Sequence, residues 1–225
     1  MPDSVIAEDF EQARFNMIEQ QIRPWDVLDQ RVLDVIAELP REDFVPQRYR
    51  STLAFSDISI PIGHEQYMLA PKLQARILQS LGIRAGERVL EVGCGNGYLT
   101  ACLAKLGGET VGVDIFQDFV DQTQGRLDKL GLDHARCQLR DAARGWDEKD
   151  RFDAIAVTGS LPKKHEGFHT SLSIGGRLFL VTGTPPVMEA LLITRVSEDQ
   201  WAEESLFDTS IPPLLHAPPA DRFRF

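Results

Sequence analysis

The sequence predicts a doubly wound, Rossmann-like α/β fold, with a helical addition before it and antiparallel strands after it. Beyond about residue 83, short apolar runs alternate with amphipathic segments, as strands alternate with helices in α/β proteins. The runs VLEV, VGVD, DAIAV and RLFLV are apolar almost throughout, which is typical of a parallel sheet that is covered on both faces. The last two strand-like runs, MEALLITRVS and WAEESLFDTS, have no helix between them, which indicates an antiparallel hairpin at the sheet edge.

The first 82 residues are predicted to form helices and loops. A helix is expected over residues 8–22, where apolar residues fall on one side and Pro24 follows. Asp26 is the expected N-cap of a second helix, which Pro40 ends. The stretch 41–70 is predicted to be an ordered loop that contains a short strand at 56–60.

A third helix is predicted to begin at Pro71 and to be capped by Gly82. The alternation then predicts strands at 88–92, 110–114, 136–140, 153–158 and 177–181, and helices at 98–106, 118–130 and 164–172. We expect one domain over 1–225, with N-terminal helices and a substrate loop in 1–82, a cofactor-binding core in 83–185 and a strand extension in 186–225.

Composition excludes several classes of protein. The 225 residues carry a net charge of −10, whereas binding to nucleic acid needs positive charge, so no nucleic-acid partner is expected. No apolar run is long enough for a membrane helix, and the acidic N-terminus does not resemble a signal peptide. The three cysteines Cys94, Cys102 and Cys137 are an odd number without CxxC spacing, which favours a reducing cytoplasm.

The segment RVLEVGCGNGYLT contains the most informative motif. Gly93, Gly95 and Gly97 lie between a predicted strand and a helix, where backbone amides and the helix N-terminus can bind a nucleotide-like cofactor. Asp114 ends the next strand, 21 positions after Gly93, where an acid can accept both ribose hydroxyls of an adenosine. The alternative is a tight turn with an unrelated aspartate.

The glycine spacing distinguishes between cofactors. A dinucleotide fingerprint, GxGxxG, needs a third glycine at position 98, which is Tyr98. The pattern EVGCGNGY instead resembles the S-adenosylmethionine site of Rossmann-like methyltransferases. In those enzymes an acid at the position of Asp141 meets the adenine amino group; the alternative for Asp141 is a solvated strand-end acid. The cofactor-binding residues predicted in this way are Glu91, Gly93, Cys94, Gly95, Gly97, Asp114, Ile115, Asp141 and Ala142. At Cys94 the loop needs only a small residue.

Segments from about residue 14 to residue 193 resemble the protein-L-isoaspartate O-methyltransferases. They include QQIRPWDVLDQRVLDVIAELPREDFVPQRYR, SDISIPIGHEQYMLAPKL, ARGW and FDAIAVTGS followed by GGRLFLVTG, in the order of that family. The resemblance implies S-adenosylmethionine as cofactor and a protein or peptide with isoaspartyl residues as methyl acceptor.

The substrate loop departs from the family pattern, which reads like GxGQTISxP. Here the loop is GHEQYMLAP: Gln66 and Pro71 match, Tyr67 replaces the threonine, and Leu69 replaces the serine that is taken as the active-site residue. A leucine cannot donate a hydrogen bond to a carboxylate. The third strand also ends in RDAARGW, where the family has GDG.

The candidate catalytic residues are therefore Gln66, His64 and Leu69, which stands at the position of the family's serine. A carboxylate acceptor is ionised at neutral pH and needs no general base, so the loss of one hydroxyl need not abolish methyl transfer. His64 is a candidate to orient or deprotonate a less acidic acceptor, or it is an ordinary surface residue. His165 and His169 have a metal-like spacing without an evident third ligand, so no metal is expected.

Three functions remain open from the sequence. The first is a cytoplasmic protein-carboxyl methyltransferase that acts on isoaspartyl sites. The second is a methyltransferase of the same fold with another acceptor, such as a small molecule. The third is a non-catalytic protein that binds S-adenosylmethionine.

Overall fold

The computed structural model describes residues 2–146, 150–164 and 166–219 of the chain, with side chains from residue 9 onward. Helix α1 (Pro2–Met17) continues as a π-helical turn (Ile18–Ile22), so the predicted helix 8–22 is observed in a longer form. Helix α2 spans Gln30–Glu38. The predicted cap Asp26 is wrong: this residue ends a short 3-10 helix with a φ of 57°. Asp29 is the cap instead, since its side chain accepts a hydrogen bond from the Arg31 N–H at 3.0 Å.

A two-stranded hairpin precedes helix α3 (Pro71–Leu81). Strands β1 (Ile60–Gly63) and β2 (Gln66–Met68) pair antiparallel, so the strand predicted at 56–60 lies further along the chain. The physical reason is the two-residue turn His64–Glu65, in which both residues take left-handed φ values of 49° and 57°. Such a turn matches the twist of the two strands that it joins.

The main sheet has seven strands. They are β3 (Val89–Val92), β4 (Thr110–Asp114), β5 (Ala135–Leu139), β6 (Phe152–Val157), β7 (Leu172–Thr184), β8 (Val187–Ser197) and β9 (Gln200–Asp208). Helices α4 (Tyr98–Leu106) and α5 (Gln117–Lys129) follow β3 and β4. The strand order is β5-β4-β3-β6-β7-β8-β9; the first five strands are parallel, and β8 and β9 are antiparallel to their neighbours. The predicted fold class is confirmed.

Two predicted elements near residue 170 differ from those observed. The helix predicted at 164–172 is a short 3-10 helix (Glu166–Ser171), and His165 lies outside the described residues. The strand predicted at 177–181 is longer and begins at Leu172. Leu172 pairs with Phe152, and an irregularity in the ladder follows before the regular pairing resumes at Arg177. The apolar run RLFLV, on which the prediction is based, covers only the regularly paired part of this strand.

The sheet is buried on both faces because alternate residues of each strand point to opposite sides. Val89 packs with residues of α3, α4 and α5, while its neighbour Leu90 packs in a second apolar cluster. That second cluster contains side chains of the 3-10 helix and of the C-terminal segment, such as Phe168 and Leu214. Regular helices therefore cover one face of the sheet, and irregular chain covers much of the other.

The first apolar cluster joins the segments of the chain. It includes Ile36 of α2, Leu78 of α3, Val89 of β3 and Ala190 of β8. The N-terminal helices thus pack on the same core as the sheet. Across the residues that are described, no helix has the length and apolar character that a membrane span requires.

Candidate active site

A cleft lies at the carboxyl ends of the parallel strands, next to β3, the middle one of the five parallel strands, where the strand order reverses direction. This is the place where open α/β sheets bind ligands. The cleft is open to solvent on one side, and the space between its walls, part of which is open solvent, is about 690 Å³. The predicted residues that line it are Gln66, Leu69, Gly93, Gly95, Asp114, Ile115, Asp141 and Ala142.

The glycine loop forms the floor of the cleft. At two of its positions a side chain would clash with a neighbouring residue, so glycine is needed there. Gly93 has a φ of +90°, and a Cβ atom there would lie 2.5 Å from the hydroxyl oxygen of Thr158. Gly95 has a φ of +51°, and a Cβ atom there would lie 3.0 Å from a methyl carbon of Ile62 in β1. The hairpin therefore lies directly over the loop. Gly97 precedes α4 as its N-cap.

Asp114 is buried at the end of β4 and is held by the glycine loop. One carboxylate oxygen accepts the Gly95 N–H at 2.9 Å, and the other accepts the Phe116 N–H at 3.1 Å. Burial raises the pKa of Asp114 above its ordinary value. An ionised carboxylate has about four acceptor positions, so roughly two remain for a ligand such as the two ribose hydroxyls predicted from the sequence.

Asp141 follows β5, the strand next to β4; the Arg140 N–H donates to the Asp114 carbonyl at 2.9 Å, and Asp141 is more exposed than Asp114. One oxygen accepts the Ala143 N–H at 3.0 Å, and the other lies 2.7 Å from Nδ1 of His216. The Ala143 N–H and His216 hold the pKa of Asp141 below its ordinary value. The C-terminal segment thus returns across the cleft beside the predicted adenine contact.

Glu91 and Cys94 do not line the main cleft but an adjoining pocket of about 310 Å³. Glu91 is almost fully buried, and the hydroxyl of Thr100 in α4 donates a hydrogen bond to it. Burial raises the pKa of Glu91 to about 8, so this carboxyl is protonated at neutral pH. A protonated carboxyl group has one O–H, so Glu91 can act as the donor in one hydrogen bond.

We expect the Glu91→Gln variant to gain stability over the natural protein as pH rises. The ordinary pKa of a glutamate is 4.5 and that of folded Glu91 is about 8, so the folded protein holds the extra proton between these values and becomes less stable with rising pH. Glutamine does not titrate. The difference in free energy of unfolding should therefore shift by about 2–3 kcal/mol toward the variant between about pH 5.5 and pH 7.5. Urea unfolding at both values tests this, with exposed Glu11→Gln as control. A pH-independent difference would contradict it.

The hairpin and the residue that follows it line one part of the cleft. Leu69 is 6% exposed and lines both the cleft and the adjoining pocket, with Ile62 and Tyr67 beside it. The backbone carbonyl of Leu69 accepts a hydrogen bond from the buried guanidinium of Arg41 at 3.0 Å. The same guanidinium donates to the Ala54 carbonyl at 2.8 Å and to the side chain of Gln74. Arg41 thus fixes the backbone at Leu69, between the hairpin and helix α3.

His64 lies at the tip of the hairpin and is not among the residues that line the cleft. Its ring stacks on Phe116, with ring centroids 4.0 Å apart, and its Nε2 atom lies 2.9 Å from a carboxylate oxygen of Asp118. These contacts fasten the hairpin to the start of α5. His64 therefore holds the hairpin against α5. Its position outside the lining of the cleft does not support the catalytic role predicted for it.

Several residues of the cleft were not predicted from the sequence. They are Ile62, Phe116, Phe119, Arg140, Ala143, Thr158, Gly159 and the segment 212–215. Thr158 could have been found, because it follows β6 and all parallel strands end at the same edge. The C-terminal segment carries no local signal, since only the folded chain brings it back to the cleft.

No group of three or more His, Cys, Asp or Glu side chains is placed to hold a metal ion within the described part of the chain. Of the two histidines with metal-like spacing, only His169 is described. Its ring packs edge-on against Trp201, with ring centroids 5.8 Å apart.

The parallel sheet, the glycine loop after its central strand and the buried acid at the end of the next strand define a Rossmann-like methyltransferase. The model of the protein-L-isoaspartate(D-aspartate) O-methyltransferase (PCMT) family matches residues 12–206. The chain belongs to this family, whose members are methyltransferases dependent on S-adenosylmethionine. The predicted family, enzyme class and cofactor are therefore confirmed.

Relatives match nearly the whole chain. Protein-L-isoaspartate O-methyltransferase 1 of Rhodopseudomonas palustris is 36% identical over 215 residues, which are 95% of this chain and 87% of the relative. The protein-L-isoaspartate O-methyltransferase of Anaeromyxobacter dehalogenans is 38% identical over 196 residues, which are 86% and 93% of the two chains.

Solved structures support the fold. A Plasmodium falciparum chain, described as a protein-L-isoaspartate O-methyltransferase in complex with S-adenosyl-L-homocysteine, superposes with a TM-score of 0.76 at 20% identity. The superposition covers 91% of this chain and 97% of that one. A second protein-L-isoaspartate O-methyltransferase superposes with a TM-score of 0.75 at 22% identity and covers 90% and 65% of the two chains.

Proposed function

We propose that the protein transfers the methyl group of S-adenosylmethionine to a carboxylate oxygen, and that its acceptor is an isoaspartyl residue of a protein or peptide. Family membership over residues 12–206 supports this, because the matched region includes both the glycine loop and the hairpin. The observation that carries the proposal is the contact between these two parts. Ile62 of the hairpin lies against Gly95 of the loop, so an acceptor held by the hairpin meets a cofactor held by the loop.

The main task of the protein in this reaction is to align the acceptor oxygen with the methyl group of the cofactor. The methyl group passes from a sulfonium to an oxygen in an in-line displacement, and the leaving thioether needs no protonation. An isoaspartyl carboxylate is ionised at neutral pH, so no general base is needed. Gln66 remains to orient the acceptor from β2: its side-chain amide, which lines the cleft, also donates a hydrogen bond to the His64 carbonyl at 3.1 Å.

Leu69 is expected to slow this reaction. It replaces a hydroxyl donor with an apolar side chain on the acceptor wall, so a buried carboxylate lacks one hydrogen bond and is about 1–3 kcal/mol less stable there. The apolar wall of Ile62, Tyr67 and Leu69 also favours a second candidate function, in which a less polar acceptor, such as a small molecule, takes the methyl group.

Replacing Leu69 with serine is expected to increase isoaspartyl methylation about tenfold, because the hydroxyl restores one donor worth roughly 1–2 kcal/mol. Methyl ester formation on an isoaspartyl peptide, against its aspartyl counterpart, measures the change. The Leu69→Ala variant is the matched control: it opens the same space without a donor and should remain near the natural rate. Equal rates in the serine and alanine variants would show that space, not hydrogen bonding, limits the reaction. If the serine variant gains nothing and still binds the cofactor, the second candidate function is favoured.

We also propose that the protein works in the cytoplasm. All three cysteines are free thiols, and such thiols persist where glutathione and thioredoxin keep the compartment reducing.

A further inference from the structure

Two free cysteines meet beside the glycine loop. Cys94 belongs to the loop itself, and Cys137 lies in the edge strand β5. Their sulfur atoms are 2.9 Å apart. The third cysteine, Cys102, is fully buried within α4 and is not part of this contact.

The strand between them is shaped to permit the contact. Gly112 of β4 pairs with Glu91 of β3 on one side and with Cys137 of β5 on the other. A Cβ atom on Gly112 would lie 3.1 Å from the Cβ atom of Cys94. Because Gly112 has no side chain, the two cysteine side chains reach each other across β4.

The two thiols differ in their exposure to solvent. Cys94 is 4% exposed, and its contact with Cys137, together with burial, raises the pKa of its thiol well above the ordinary value. Cys137 is only partly buried, on an edge strand. An oxidant in solution would therefore meet Cys137 first, and Cys94 would be the nearest partner for the oxidised sulfur.

We propose that Cys94 and Cys137 form a reversible disulfide when the protein meets a peroxide, and that this bond weakens cofactor binding. In the first step the Cys137 thiol loses its proton, and the thiolate attacks one oxygen of hydrogen peroxide; the O–O bond breaks, a sulfenic acid forms, and the hydroxide that leaves takes up the released proton as water. In the second step the sulfur of Cys94 attacks the sulfenic sulfur, the S–O bond breaks, and the leaving hydroxide takes the thiol proton. In sum, two thiols lose two electrons and two protons, and one peroxide becomes two molecules of water.

Cofactor binding is coupled to this bond through the backbone of the loop. A disulfide holds its sulfurs about 2.05 Å apart, so the two sulfurs must approach each other, and we infer that part of this movement falls on Cys94. The N–H of Cys94 donates to the Val113 carbonyl at 3.0 Å, and the next N–H along the chain, that of Gly95, donates to the Asp114 carboxylate at 2.9 Å. A shift of Cys94 disturbs both bonds, and with them the floor of the cleft.

The first test locates the disulfide. The natural protein is treated with hydrogen peroxide, digested with trypsin without reductant and analysed by mass spectrometry. Cys137 falls on peptide 137–140, while Cys94 and Cys102 share peptide 89–105, so the Cys102→Ala variant is treated in parallel. We expect a cross-linked peptide that lacks two hydrogens, in both proteins, and that a dithiol reductant separates. Sulfinic acid on Cys137 without a cross-link, or a cross-link lost in the Cys102→Ala variant, would overturn the proposed site.

The second test measures the coupling by titrating S-adenosylmethionine into reduced, oxidised and re-reduced protein. We expect oxidation to weaken binding at least fivefold and reduction to restore it. The Cys137→Ser variant should keep its affinity through peroxide treatment. Unchanged affinity in protein that contains the cross-link would overturn the coupling, and the same loss in the Cys137→Ser variant would assign the effect to another residue.

Discussion

Replacing Gly95 with valine is expected to abolish binding of S-adenosylmethionine while leaving the protein folded. Gly95 has a φ of +51°, a conformation that a β-branched residue rarely adopts. Its Cβ atom would lie 3.0 Å from Ile62, so the two γ-methyl groups of valine would occupy the space between the loop and the hairpin. The backbone strain alone is about 1–2 kcal/mol, and filling the cleft adds to it.

Calorimetric titration with S-adenosylmethionine measures this effect, and circular dichroism checks the fold. The Gly125→Val variant is the matched control, because that glycine lies in α5 with nothing within 4 Å of its Cβ position. We expect a loss of at least about 100-fold for Gly95→Val, beyond 2.7 kcal/mol, and normal binding for Gly125→Val. Normal binding by a folded Gly95→Val variant would remove the loop from the cofactor site.

Replacing Asp114 with alanine is expected to weaken S-adenosylmethionine binding by roughly 2–3 kcal/mol, or about 30- to 150-fold. The carboxylate is buried at the end of β4, and its free acceptor positions face the cleft. It also holds the Gly95 N–H, so its loss loosens the loop as well. Titration of both proteins measures the change.

Exposed Asp121, one turn into α5, provides the control for this substitution. The Asp121→Ala variant removes the same charge from the same region without touching the cleft, so its affinity should match that of the natural protein. If Asp114→Ala also retained full affinity, Asp114 would be only a strand terminus.

The elements around the glycine loop could be predicted because their signals are local. The strand predicted at 110–114 and the helix predicted at 98–106 are observed with the same bounds, and the strand predicted at 88–92 is observed as Val89–Val92. Apolar runs, the glycine turn and the strand-end acid follow one another within about 25 residues, so the chain shows them in order.

The hairpin side of the cleft could be predicted only in part because its geometry depends on distant contacts. The sequence places His64 beside Gln66, but not its ring against Phe116, which lies 52 positions further along the chain. The hydrogen bond of Arg41 to the Leu69 carbonyl and the return of segment 212–215 to the cleft likewise join residues far apart in sequence. No local pattern encodes these contacts, because they arise only when the helices and the C-terminal segment pack on the sheet.

The N-terminal boundaries were missed for a different reason. Asp26 and Asp29 are both acceptable N-caps by residue type, and the choice between them depends on backbone conformation. Asp26 takes a left-handed φ after Trp25, which leaves Asp29 in the extended conformation that a cap requires.

The most direct test is transfer of a labelled methyl group from S-adenosylmethionine to an isoaspartyl peptide, with the aspartyl peptide and a cell extract run beside it. Cofactor binding is measured on the same sample. We expect tight binding together with methyl ester on the isoaspartyl peptide alone, formed at least tenfold more slowly than by a relative that carries the serine. An isoaspartyl rate equal to that of such a relative would contradict the role given to Leu69. Label that enters only a component of the extract, or no acceptor at all while the cofactor binds, would contradict the proposed isoaspartyl acceptor.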